Sequence, residues 1–195
     1  MQIIDYNGSG RWSLEAIRRR YGEYARRYYV ETPCDLTPRV HEEGDKRWVY
    51  PVMEQVIVGI EAGDAACIEL GIEFLEEDEK FPFGKNLKAR AARALRRAPL
   101  TADQIARIRQ RVFGMLVAGH VPHEFREYAK LLRKVGVGEQ WSAVHDRLDQ
   151  ANPYVMRSTS ISMSRPRRVR RACDQRAAGA GGSGCSRPDR PRSAP

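Results

Sequence analysis

VMEQVIVGIEAGDAACIELGIEFL, residues Val52–Leu75, is the long stretch in which apolar residues crowd more than one helical face. At about 100° per residue, Val52, Met53, Val56 and Ile60 share a broad face, with Ile57 at its edge. Pro51 stands at the first helical position, where a missing N–H costs little. Gly63 supplies the left-handed residue that ends such a helix, and Asp64 offers a carboxylate to the open N–H groups of the next. In that next helix Ala65, Ile68, Ile72 and Leu75 make one face, while Cys67, Leu70, Gly71 and Phe74 make another. The stretch therefore predicts two helices joined by a tight corner, the second sandwiched at the centre of a helical body.

Upstream, residues 1–12 read as an arm, because Gln2–Tyr6 alternates only weakly and NGSG follows it. Ser13 predicts a cap for a helix running to about Val30, with Leu14, Ile17, Tyr21, Tyr24, Ala25 and Tyr28 inward and Arg18, Arg19, Arg20, Arg26 and Arg27 mostly outward. Glu31–Arg47, with two prolines and a glycine, reads as a long connection, and Trp48 and Tyr50 as its anchor on the body.

Downstream, Glu73, Glu76, Glu77, Asp78 and Glu79 gather where a helix ends, so their charge opposes the macrodipole and calls for compensation. The next helix, Lys85–Arg97, carries six basic residues and no acidic one. A hairpin through FPFG would set its basic start beside that acidic end. Thr101 and Gln104 have capping-box spacing ahead of a helix over Ala102–Ala118, with Ile105, Ile108, Val112, Met115 and Leu116 inward. Pro122 restarts a helix carrying Phe125, Tyr128, Ala129, Leu132 and Val135 that stops at Gly136. A weaker helix around Glu139–Gln150 uses Trp141, Val144 and Leu148, and Asn152–Pro153 closes the body.

Beyond it the composition changes. From Ser164 the chain has nine Arg and two Asp and none of Leu, Ile, Phe, Tyr or Trp, too little to offset the entropy of ordering. Setting these aside from the chain's 34 basic and 25 acidic residues leaves 25 against 23, so 1–163 carries +2 of the total +9. The expected organisation is an arm (1–12), a helical domain (13–153) and a disordered basic tail (154–195). The fold class is all-α, an irregular bundle or short α-solenoid of about six helices.

Two helical hairpins correspond in register. Ile68, Ile72 and Leu75 match Ile108, Val112 and Met115 at an offset of 40, as Pro82 matches Pro122. Leu87, Ala91 and Ala94 match Phe125, Ala129 and Leu132 at 38. A helix–turn–helix period near 40 over about Asp64–Gly136 resembles HEAT-type repeats. The resemblance implies a solenoid-like scaffold that binds a partner along one surface.

Chemistry-bearing motifs are sparse. HVPHEFRE brings His120, His123, Glu124 and Glu127 close in sequence, and spacing of three on a helix aims two imidazoles at one metal. Pro122 lies between them and HExxH is absent, so capping and surface roles are expected instead. Cys34 and His41 share a loop and could pair as nucleophile and base, but no oxyanion site or third group accompanies them. His145 beside Asp146 reads as solvent-facing. No phosphate-binding glycine loop and no GxSxG is present. No catalytic residue and no cofactor is therefore expected.

Arginines with tyrosines suit nucleic-acid strands. The candidate residues are Arg18, Arg19 and Arg26, then Lys85, Lys88, Arg93 and Arg96, then Arg167, Arg168, Arg170 and Arg171 in the tail. Solvated or internally paired faces are the alternative for the helices; a localisation signal, or a shifted reading frame or run-on terminus read through GC-rich codons, is the alternative for the tail. Cys67 on an apolar face reads as a buried thiol in a reducing compartment. No stretch approaches the ~20 apolar residues of a membrane span. The leading expectation is a cytoplasmic, non-enzymatic module that binds a protein partner. A nucleic-acid binder is the first alternative and an enzyme with an unrecognised site the second.

Overall fold

The computed structural model describes residues 1–77 and 81–164. In chain order these form β1 (Gln2–Asp5), α1 (Leu14–Arg27), β2 (Val40–Glu43), β3 (Lys46–Val49), α2 (Met53–Ala62), α3 (Ala65–Glu76), α4 (Gly84–Leu95), α5 (Ala102–Val117), α6 (Phe125–Val135), α7 (Trp141–His145) and α8 (Pro153–Met163), with a 3-10 turn at Gly10–Trp12. The corner inside 52–75 has the expected chemistry. Gly63 sits at φ 85°, and the Asp64 carboxylate accepts from the Cys67 amide at 2.9 Å. Nine of the twelve α3 residues are buried, so this helix is the centre of the body. Each of Ile68, Leu70, Ile72, Phe74 and Leu75 contributes on the order of 1.5–3 kcal/mol by leaving water.

The helices pack in two rows. α1, α3 and α5 lie side by side in one, and α2, α4, α6 and α8 in the other, with α3 also against α2 and α4, and α5 against α6. Ser13 caps α1, and Thr101 with Gln104 forms the full capping box of α5.

Several expectations need correction. The protein is mostly helical rather than all-α, because β1, β3 and β2 form a three-stranded sheet in that order. β1 pairs parallel to β3, Ile4 opposite Trp48, and β2 pairs antiparallel, His41 opposite Trp48. The arm is thus the sheet's first strand, and the long connection holds a hairpin turning at Gly44 (φ 60°). Every residue of β2 is exposed, so no apolar alternation marks it, and the partner of β1 lies some forty positions away. The first twelve residues are also tied inward. Trp12 is buried against Phe74, and the Asn7 side chain accepts from the Val52 amide at 2.8 Å, satisfying a donor at the start of α2.

At the other end the body continues past 153. Asn152 accepts from the Tyr154 and Val155 amides, Pro153 takes the first helical position, and α8 packs on α6. Ser158, Thr159 and Ser162 occupy buried positions there, which hid the apolar period. The weak helix over 139–150 contracts to α7. The described residues hold eight α-helices rather than about six. The tail from residue 165, with Arg167, Arg168, Arg170, Arg171, Cys173 and Cys185, lies outside the described residues.

Candidate functional site

α5 turns Gln104, Ile108 and Val112 inward, where Ile108 and Val112 meet Ile72 and Leu75 of α3. Half a helical turn round, Ala106, Gln110, Phe113 and Val117 face away from α3. Among the described residues no full-length helix covers that side. Instead an open groove of about 1020 Å³ runs along it, bounded by Gly114 and Ala118 on α5, Val137 and Gly138 in the following loop, and Val144 and Arg147 at α7.

The groove is held open by two contacts. Arg109 donates to the carbonyls of Val135 and Gly136 at 2.9 and 2.8 Å, a cation placed on the end of α6 where carbonyls lack partners. This fixes the 136–138 loop as one wall. Trp141 packs its ring 5.8 Å from that of Phe113, so the short α7 stands along the opposite edge. The floor is apolar, Phe113, Val117 and Val144, while Gln110, Glu139 and Arg147 on the rim are exposed. Gly114 faces open space, for a Cβ there would meet no atom within 4 Å. These residues were singled out by no motif. The signal present was Phe113 and Val117 on the face of α5 opposite its inward stripe.

Among the described residues the acidic end of α3 is compensated from the sides as well as by α4. Glu73 pairs with Arg11 at 3.1 Å and with Arg20, and accepts from Tyr24. Glu76 pairs with Arg107 at 2.6 Å, and Glu69, buried, accepts from Arg107, Gln104 and Tyr28. From α4, Lys88 reaches back to the Glu77 carbonyl. Asp78 and Glu79 lie outside the described residues.

The proposed basic faces fall on separate helices. Arg18, Arg19 and Arg26 are exposed on α1, where Arg18 donates to the Leu36 carbonyl at 3.1 Å. On α4, Lys85 is exposed and Lys88 is buried. Arg93 and Arg96 lie 3.9 and 3.5 Å from Glu127 of α6. Part of the α4 face is therefore taken up within the protein.

Cys34 and His41 are not brought together. His41 stacks on Trp48 in the sheet, whereas the Cys34 thiol lies 3.8 and 3.7 Å from the Asp35 and Gln55 carbonyls. His120 and His123 are both exposed. Among the described residues no group of three or more His, Cys, Asp or Glu is placed to hold a metal ion. No described helix is long and apolar enough to cross a membrane. In comparison with known proteins, the chain matches no family model, no curated protein and no solved structure.

Proposed function

We propose that the protein is a helical interaction module that holds an amphipathic helix of a protein partner in the groove between α5 and α7. The observation that carries this is the unequal length of the two rows. Among the described residues one continues from α6 to α8, while the other ends at α5, whose outer face keeps Phe113 and Val117 beside an open, helix-lined channel. A partner helix laid there continues the α1–α3–α5 row, as a further unit would in a solenoid of HEAT-like type. It buries an apolar stripe on the floor in the helix-in-groove manner. Gly114 and Ala118 allow close backbone approach, and exposed Arg147 favours a partner with an acidic residue beside its stripe.

The test is selection of amphipathic helical peptides against the full chain, followed by mapping of amide chemical shifts. Perturbations centred on Phe113, Gly114, Val117 and Val144 support the reading; binders that consistently map elsewhere overturn it.

A second reading, nucleic-acid binding, is favoured by one observation. Arg19, Arg26 and Arg27 lie exposed on α1 next to Tyr29, which is 88% exposed and free to stack on a base. On this reading the arginines of the tail add phosphate contacts.

A further inference from the structure

Gly59 lies inside α2, where glycine costs about 1 kcal/mol relative to alanine. What its missing side chain makes room for is sulfur. A Cβ at this position would lie within 3.0 Å of both the Cys67 and Cys34 Sγ atoms. The two thiols are free, and both lie against this one position. They come from separate parts of the chain, Cys34 from the loop after α1 and Cys67 from the first turn of α3.

The surroundings are equally specific. The Asp64 carboxylate accepts from the Cys67 amide at 2.9 Å and from the Tyr21 hydroxyl at 2.7 Å. Tyr21 in turn accepts from the Cys34 amide at 2.5 Å, which fixes the loop that carries Cys34. Cys67 is buried, whereas Cys34 stands in the wall of an open cleft of about 540 Å³ lined by Val30, Thr32, Pro33 and Val58. One sulfur is within reach of a small reagent and the other waits behind it.

From this geometry we infer that Cys34 and Cys67 are a redox-active dithiol that closes to a disulfide by exchange with a low-molecular-weight disulfide. Cys34, as thiolate, attacks one sulfur of the reagent, and the other sulfur leaves and is protonated to a thiol. Cys67 then attacks Cys34 Sγ and passes its proton to the adjacent Asp64 carboxylate. The second small thiolate leaves and takes up a proton. The protein dithiol is oxidised by two electrons and the reagent is reduced to two thiols, so the exchange balances. Burial raises both thiols above the ordinary cysteine range, which keeps the thiolate fraction low and the exchange slow. The pair stands apart from the α5–α7 groove and does not depend on it.

The test is incubation of the full chain with oxidised glutathione, alkylation of remaining thiols, and peptide mapping without reductant. The expected product links Cys34 to Cys67 and has lost two hydrogen atoms in mass. Cys67→Ser should instead accumulate a glutathione adduct on Cys34, because nothing remains to displace it. Cys34→Ser should leave Cys67 unmodified. Recovery of Cys34 and Cys67 as unlinked thiols after Cys173 and Cys185 have reacted, or crosslinks running only to those two, overturns the assignment.

Discussion

Arg107 of α5 donates to the Glu69 carboxylate of α3 in the interior between the two helices. Gln104 at 3.1 Å and Tyr28 at 3.2 Å supply further donors. Burial alone would raise this carboxyl, but the hydrogen bonds from Arg107 and Gln104 outweigh it and hold the group below the usual carboxylate range. A group lowered on folding stabilises the protein fully above its unfolded value of about 4.3. That contribution is lost as pH falls through the folded value. Thermal melts should therefore be insensitive to pH near neutrality and decline below about pH 5. Glu69→Gln should melt lower at neutral pH and show a shallower acid decline. Glu69→Ala, which leaves donors facing an empty site, should cost about 3 kcal/mol. Acid profiles of identical slope in wild type and Glu69→Gln would contradict this account of the pair.

Two helical glycines should respond to alanine with opposite sign. At Gly59 the new Cβ meets the two sulfurs, so Gly59→Ala should destabilise by about 1–3 kcal/mol despite its better helix propensity. Adding Cys67→Ala should recover part of the loss, since it removes the nearest sulfur. At Gly114 the Cβ enters open space, and Gly114→Ala should stabilise by about 0.5–1 kcal/mol. Denaturant titration of the three variants decides the matter; equal effects at the two positions would refute the packing described around Gly59.

The nucleic-acid reading makes a separable prediction. The full chain should be retained on single-stranded RNA at low salt, with affinity falling steeply as salt rises. A chain ending at Met163 carries only +2 and should lose most of that affinity. Arg19→Glu with Arg26→Glu should weaken the remainder. No retention of the full chain at low salt would eliminate the reading.

How far the sequence spoke depended on how local the relevant signal was. The corner at Gly63–Asp64, the capping box at Thr101–Gln104 and the sandwiching of α3 rest on neighbouring residues or on helical periodicity, and all were legible. The sheet was not, because Ile4 and Trp48 pair across a long separation and β2 carries no buried residue. α8 was missed since Ser158, Thr159 and Ser162 stand where apolar residues would mark a buried face. The groove was half visible. Phe113 and Val117 could be placed away from Ile108 and Val112, but that they would form the floor of an open groove, Phe113 buried under Trp141 and Val117 half-buried, is a property of packing. The Cys34–Cys67 contact joins a loop to a helix, and nothing in their spacing announces it.

Occupation of the α5–α7 groove by a helix is tested most directly by Gly114→Trp. The indole fills the channel without meeting an existing atom near its Cβ, so the fold and melting temperature should be retained. Isothermal titration with an amphipathic helical peptide selected on the wild-type chain should then show affinity reduced by about tenfold or more. Unchanged affinity for Gly114→Trp, with the peptide bound as in wild type, would contradict the proposal.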